Sequence, residues 1–261
     1  DLGSRERLSL GMPRGGAMDE HAHCWANKLL GNPPETPTVE ITMGPLELEV
    51  EEDACVAVSG ADMGFSINGL AASVWRTHSI SAGAHLRFES NARGLRAYLG
   101  LLGGFRVRRR SGDSGGFIGR RLKVGDVLEF ISRPAGPPGG FTRRTPWDCI
   151  PDYQSTAVLN FIPGDQWTSF SAADRDRLVS SEYAVSAKVD RVGCRLEGDA
   201  LESGPPGIVS EPITRGAIQV PSDGQPIVLL NDHQTIGGYP KLGCLTHDSC
   251  NRLSQCCPGD R

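Results

Sequence analysis

The sequence predicts a mainly β protein built as two β-rich halves, each carrying a helix or two. Three observations lead there. Short segments alternate apolar and polar residues with the period of two that a half-buried strand requires. Glycine and proline number 33 and 18 in 261 residues while only 6% are aromatic, a balance that favours many turns and short strands. Helical spacing with matching stop signals is confined to a few short stretches.

The first element is a helix from Met18 to about Leu30, in "MDEHAHCWANKLLG". Its apolar residues Ala22, Trp25, Ala26, Leu29 and Leu30 recur at helical spacing, and Gly31 ends it. "TVEITMGPLELEVEED" then alternates from Val39 to Val50 around Gly44-Pro45, as two strands and a turn would. "ACVAVSGADMGFSINGLAA" repeats the pattern, with turn signals at Ser59-Gly60 and Asn68-Gly69. "AHLRFE", "LRAYLGLLGG" and "DVLEFI" read as further strands. The aperiodic, Pro/Gly-rich "SRPAGPPGGFTRRTPW" follows as a connector. The organisation expected is therefore an N-terminal subdomain over 1–132, a connector over 133–153 and a C-terminal subdomain over 154–261. The second half resumes with "STAVLNFIPG" and a short helix over Ala172–Ser181. "GAIQVP" and "QPIVLLN" flank the turn Ser222-Asp223-Gly224, and a last helix over Ser249–Gln255 stops at Pro258-Gly259.

A formal charge of -4 gives no electrostatic reason to expect nucleic acid or an anionic membrane as partner. The basic run from Arg106 to Arg110 reads as a solvated loop. No apolar stretch approaches the roughly 18 residues of a membrane span, and no signal peptide is visible. Eight cysteines in a chain this long do not make a disulfide scaffold, and Cys24, Cys55, Cys194 and Cys244 sit among small or apolar neighbours. His247, Cys250, Cys256 and Cys257 lack the paired CxxC spacing of a structural zinc site, so no metal is expected. A reduced, cytoplasmic protein is the default.

The string Gly112-Asp113-Ser114-Gly115-Gly116, with Ala22-His23-Cys24 upstream, copies the serine and histidine motifs of chymotrypsin-like proteases. A triad needs nucleophile, base and acid within hydrogen-bond reach. Here the serine string falls before the midpoint and the histidine lies on a predicted helix. The match is coincidental.

Other groups can carry chemistry. "NDHQTIGGYPK" places Asp232, His233, Gln234 and Thr235 before Gly237, Gly238, Tyr239 and Lys241. Such a loop can aim backbone N–H groups and polar side chains at an oxyanion or phosphate, with Lys241 adding a charge and His233 carrying a proton. It also reads as a solvated β-turn whose glycines meet dihedral needs. Arg191 and Arg195, flanked by Asp190 and Glu197, can grip a carboxylate or phosphate, or form ion pairs that hold a loop. Gln219 and Gln225 can contact an amide substrate or serve the strands they sit on. None of these groups is a self-contained catalytic set, and there is no P-loop for ATP. That gap fits a protein that builds part of a site and needs a partner for the rest.

Several blocks together resemble one family. Gly115-Gly116-Phe117, Gly119-Arg120, Leu122, Gly125-Asp126 and Leu128 are similar to a motif of the allophanate hydrolase subunit 2 family. That family comprises the C subunits of 5-oxoprolinase and the matching half of the carboxyltransferase domain in urea carboxylase. The opening "DLGSRERLSLGMPRGGAMDEHAHCWANKLLGN", Glu40, Gly44-Pro45 and "GLRAYLGLLGG" resemble it too. So do Ser186, Asp190, Arg191, Gly193, Arg195 and Leu196. The strongest likeness runs from Ser210 through Gly216, Gln219, Pro221, Gly224, Pro226, Asp232, Gln234, Thr235, Gly237, Gly238, Tyr239 and Pro240, and Asp248, Gln255 and Pro258-Gly259-Asp260 complete it. Ser4, Glu6, Asp165 and a short segment before Gly115 depart from the family pattern.

The resemblance implies two cyclophilin-like β-barrel subdomains. It implies pairing with a homologous subunit 1, and action with a third subunit in ATP-dependent opening of 5-oxoproline to glutamate. ATP would enter through the complex. An alternative is the carboxyltransferase half of a biotin-dependent urea carboxylase or urea amidolyase, with biotin supplied from elsewhere. A further alternative is a regulatory protein that binds its subunit 1 homologue. Under the enzymatic readings the substrate is a small amide or urea-like molecule. Arg191, Arg195, Gln219, Asp232, His233, Gln234, Thr235 and Tyr239 are then the catalytic candidates, and Gly216, Gln225, Gly237, Gly238, Lys241 and Asp248 the substrate-binding ones.

Overall fold

The computed structural model describes residues 1–261 apart from 5, 7, 91–92, 107–120, 131–141, 155, 203 and 206–207. The described chain is mainly β, with three α-helices and antiparallel pairing throughout. It divides into two compact units. The first is made of Asp1–Leu2 and the described residues between Asp19 and Gln154. The second is made of the described residues of Gly3–Met18 and of Ser155–Arg261.

The first unit holds α1 (Glu20–Leu30) and eight strands: β1 (Val39–Thr42), β2 (Leu46–Val50), β3 (Ala54–Asp62), β4 (Ser66–Ile67), β5 (Leu70–Ala71), β6 (Arg76–Ile80), β7 (Ala84–Phe88) and β8 (Arg93–Leu101). They form two four-stranded sheets, ordered β1-β8-β3-β6 and β2-β7-β4-β5. Strand β3 is buried along almost its whole length because both of its faces are covered. Val56 and Val58 join Phe65, Leu86, Phe88 and Leu99 in one core. Cys55 and Ala57, on the other face, pack with Leu29 and Leu30 of α1.

The helix begins two residues later than its apolar spacing predicts, because the Asp19 side chain accepts the Ala22 N–H and caps it. Gly31, at φ 72°, ends it as expected. The two strands predicted around Gly44-Pro45 are β1 and β2, but they pair with β8 and β7 in different sheets. Met43 and Gly44 both take positive φ, which turns the chain out of one sheet and into the other. Ser59-Gly60 is not a turn. Gly60 lies inside β3 at φ 84°, where the register shifts and its carbonyl accepts the Trp75 indole N–H. The strand predicted in "DVLEFI" reduces to a bridge between Phe105 and Phe130. Before it the chain turns at Gly125-Asp126, with the Asp126 N–H bonded to the Lys123 carbonyl.

The second unit carries β9 (Phe161–Pro163), α2 (Ala172–Ser180), β10 (Ala184–Val189), β11 (Gly193–Glu197), β12 (Glu211–Pro212), β13 (Ala217–Gln219), β14 (Ile227–Leu229), β15 (Ile236–Gly237), β16 (Lys241–Leu245) and α3 (His247–Leu253). Six strands form one sheet in the order β10-β11-β14-β13-β16-β9, and β12 pairs with β15 alongside. The predicted hairpin around Ser222-Asp223-Gly224 is β13–β14, with Gly224 at φ 74°. The last helix starts two residues earlier than expected because Thr246, not a later residue, accepts the Ser249 N–H and caps it.

Barrel closure is not seen among the described residues; the hydrogen-bonded order of each sheet ends at edge strands. The described residues of Gly3–Met18 group with the second unit. Met18 enters that unit's core beside Ile218, Val228, Leu230 and Leu253. The "GDSGG" string, positions 107–110 of the basic run and much of the 133–153 connector lie outside the described residues.

Candidate active site

The second unit carries a half-open pocket of about 330 Å³. Its polar wall is Arg14, Thr214, Arg215, His233 and His247, and Leu8, Ile213, Leu245 and Cys250 supply the apolar part. Both arginines are more than nine-tenths buried, and so is His233.

Each polar residue is placed by an identifiable piece of backbone. Arg215 precedes Gly216, whose φ of 86° turns the chain into β13. A Cβ at Gly216 would stand 2.9 Å from Cys250 Sγ, so only glycine permits this approach to α3. The Arg215 guanidinium donates to the Met18 carbonyl at 2.8 Å and to Asn251 Oδ1 at 3.1 Å. Both of these partners are neutral oxygens. Arg14 arrives with the N-terminal segment, which is laced to the loop after β14. The Gly15 N–H donates to the Asn231 carbonyl, and the Asn231 amide donates back to the carbonyls of Gly15 and Ala17.

Arg191 completes this lacing. It donates to both Asp232 oxygens, at 2.7 and 3.1 Å, and to the Gly16 carbonyl at 2.7 Å. The bidentate pair is the ion-pair alternative among the sequence readings, and here it clamps the segment that delivers Arg14. His233 follows directly. Its Nδ1 lies 2.5 Å from the Gln234 carbonyl oxygen, which can only accept. Nδ1 therefore carries the proton and Nε2 keeps a lone pair. Burial, with Arg14 and Arg215 nearby, holds the imidazole below its ordinary pKa, so the ring is neutral at pH 7.

Of the predicted site residues, His233 alone lines this cavity. Arg195 pairs instead with Asp223 at the β13–β14 turn and holds that carboxyl below its usual range. Gln225 bonds the N–H and carbonyl of Gly198 with its amide, extending the strand pairing as a surrogate peptide. Lys241 pairs with Glu211 at 2.7 Å, and Gln166 bridges the Glu211 carboxylate and the Lys241 N–H. Gly237 belongs to the β12–β15 pair, where a Cβ would stand 2.7 Å from the buried Gln219 Nε2. Gly238 accepts the Ile208 N–H and Thr235 the Ile213 N–H, so both serve the same ribbon. Gln234, Tyr239 and Asp248 are exposed.

Arg14, Thr214 and Arg215 were not among the sequence candidates. The signal available was the repeated Arg-Gly pair, in "PRGG" and "TRGA", where an arginine abuts a chain reversal. His247 and Cys250 stand at the cavity, whereas Cys256 is packed in the core, where burial pushes its thiol up to about 11. All eight cysteines are free, and among the described residues no group of three or more His, Cys, Asp or Glu gathers as a metal site. His23 of the protease-like string is bonded to Thr38 and the Pro34 carbonyl in the first unit. Among the described residues, no helix is long and apolar enough to cross a membrane.

Relatives are consistent with this architecture. The chain is 32% identical to the 5-oxoprolinase C subunit of Escherichia coli K12 over 94% of its own length and 80% of that protein's. It is 26% identical to urea amidolyase of Lachancea kluyveri over 96% of its length but only 15% of that protein's. The crystal structure of TTHA0988 superposes with a TM-score of 0.84 at 32% identity, over 99% of this chain and 51% of that one, so this chain spans about half of that relative. The family model "carboxyltransferase domain, subdomain A and B" matches residues 10–261, and the chain belongs to that family.

Proposed function

We propose that this chain is the C subunit of an ATP-dependent 5-oxoprolinase complex and that the Arg14–Arg215–His233 cavity is its contribution to the site that opens 5-oxoproline to glutamate. The observation that carries the reading is this cavity, with two buried guanidinium groups and a neutral imidazole, in a chain related over nearly its whole length to a 5-oxoprolinase C subunit. Opening the ring adds water across an amide and builds negative charge on oxygen. Preorganised guanidinium donors stabilise such charge in a site shielded from water. His233 Nε2, kept unprotonated by the Gln234 carbonyl, is suited to hold or move a proton.

In this reading the chain is inactive alone. The site is finished by a homologous subunit 1 and a third subunit, which also bring ATP, since this sequence has no P-loop. The supply of phosphoryl energy is then the partners' part, and substrate holding is this chain's. Eight free thiols suit a cytoplasmic location, where thiols stay reduced. The relationship to urea amidolyase favours the second reading, a carboxyltransferase half that accepts carboxyl from biotin carried by a partner.

The test is ATP-dependent glutamate release from 5-oxoproline by the three subunits mixed together. Arg215→Gln is expected to lower turnover by about 10²–10³ while the subunits still assemble. Full turnover by that variant would remove the cavity from the reaction. Biotin-dependent carboxylation of urea, without glutamate release, would favour the second reading.

A further inference from the structure

The first unit brings together two arginines far apart in the sequence, Arg76 of β6 and Arg144, in an antiparallel bridge. The Thr77 N–H donates to the Arg143 carbonyl and the Thr145 N–H to the Trp75 carbonyl, both at 2.9 Å. These bonds flank the bridge, so Arg76 and Arg144 are a non-hydrogen-bonded pair, the closer of the two cross-strand arrangements, with Cα atoms about 4.5 Å apart. Their side chains leave from one face. On β3 Arg76 lies opposite Val58 and His78 opposite Val56, so this is the face that carries the unit's core farther in. Like charges directly opposite one another are destabilising. Yet among the described residues neither guanidinium has a carboxylate partner or a side-chain hydrogen bond. Arg76 Nε is also buried without a partner. Such an orphaned donor costs free energy, which a bound oxyanion recovers.

We infer that Arg76 and Arg144 form a binding site for a phosphate dianion, as the free ion or on a small phosphorylated molecule. Two fixed positive charges are matched by one doubly charged anion, whereas a single carboxylate leaves one of them unmatched. Guanidinium forks also fit the oxygens of a phosphate, two at a time. Arg144 is exposed and Arg76 only partly buried, so a ligand can reach the pair from solvent. His78, next on the same face, adds no third charge. Its Nε2 lies 2.8 Å from the Ser73 carbonyl, which only accepts, so that nitrogen carries the proton. Burial, with Arg76 adding to it, holds the ring below its ordinary pKa and therefore neutral at pH 7. The site shares no residue with the pocket of the second unit, and it does not depend on the proposed function.

The test follows the His78 ring signals by NMR while anions are titrated into the full chain. Ionic strength is fixed and the pH mildly alkaline, so that phosphate is doubly charged. Inorganic phosphate is expected to shift these signals saturably, and acetate to bind at least tenfold more weakly. Arg76→Gln and Arg144→Gln should each weaken phosphate at least tenfold. Thermal melts certify folding; because Arg144 is exposed, its variant serves if Arg76→Gln does not fold. Without phosphate, removing one of two facing like charges is expected to leave the melting temperature unchanged or raised. AMP separates the sources: tighter AMP assigns the site to a phosphorylated molecule, tighter inorganic phosphate to the free ion, and either bears out the dianion. Arg215→Gln, in the second unit, is expected to keep the full His78 response. No saturable shift, acetate binding as tightly as phosphate, or undiminished phosphate affinity in either folded glutamine variant of the pair would overturn the inference. So would loss of the response in Arg215→Gln, since the anion would then belong to the second unit's pocket.

Discussion

At the scale of single residues, hydrogen-bond partners decide which side chains hold structure and which face a cavity. His23 and His233 show the contrast. His23 donates from Nε2 to the Pro34 carbonyl at 2.8 Å and meets Thr38 Oγ1 through Nδ1, so both ring nitrogens are engaged inside the first unit. Burial is the main cause that lowers its pKa from 6.5 to about 4. The native state therefore favours the neutral ring. As pH falls below 6.5 the unfolded chain takes up this proton first, so the residue's contribution is complete above that pH and drains away toward pH 4. The loss is on the order of 3 kcal/mol. Urea unfolding at pH 7 and pH 4.5 is expected to show a fall in stability that is smaller in His23→Gln; identical falls in both proteins would contradict this assignment. His233 also loses basicity on burial, but only its Nδ1 is bound by protein. That difference leaves its Nε2 as an acceptor in a residue that lines the pocket.

At the scale of elements, strand edges and close approaches govern what can change. Strand β9 is held at the end of the six-stranded sheet only through β16, with Gly243 opposite Pro163 and Cys244 opposite Ile162. A Cβ on Gly243 would run into the Ile162 carbonyl oxygen and stand 2.9 Å from Phe161 Cδ2. Backbone cannot yield as a flexible side chain does, so Gly243→Ala should push β9 away. The expected cost is about 1–3 kcal/mol, with faster amide exchange at Thr246, whose N–H donates to the Asn160 carbonyl just before β9. A variant with wild-type stability and exchange would show that the sheet edge adjusts freely. The β12–β15 ribbon is a different kind of element. It gathers Gly237, Gly238 and Thr235 by backbone pairing, which is why these residues, adjacent in sequence to His233, do not share its cavity.

At the scale of the whole molecule, the decisive feature is that Gly3–Met18 belongs to the second unit. Bonds from Asn231, Arg191 and Arg215 to the carbonyls of Gly15, Gly16, Ala17 and Met18 hold it there. Removing residues 3–18 should therefore loosen the second unit and not the first. Hydrogen exchange is expected to rise in the turn around Arg191 and in the loop at Asn231–Asp232, while β3 and β8 keep their protection. Increased exchange confined to the first unit would contradict the assignment. The same segment carries Leu8 and Arg14 into the cavity wall, so this truncation also takes away part of that wall.

The sequence by itself determined most of the strands, the stop of α1 at Gly31, the family and the use of glycine at several tight reversals. These rest on neighbours a few residues apart, such as the alternation in β2 and Gly31 after α1. It also argued against the protease reading, whose serine string lies outside the described residues. The tertiary structure alone decided that β1 and β2 enter different sheets, that Gly60 bends a strand from within, and that Arg191 clamps Asp232 and Gly16. It alone brought Arg14 to Arg215 and His233. The physical reason is separation along the chain. Local rules read dihedral preference and face periodicity, whereas a cavity is made by residues about 200 positions apart whose meeting depends on which carbonyls a buried arginine or asparagine finds.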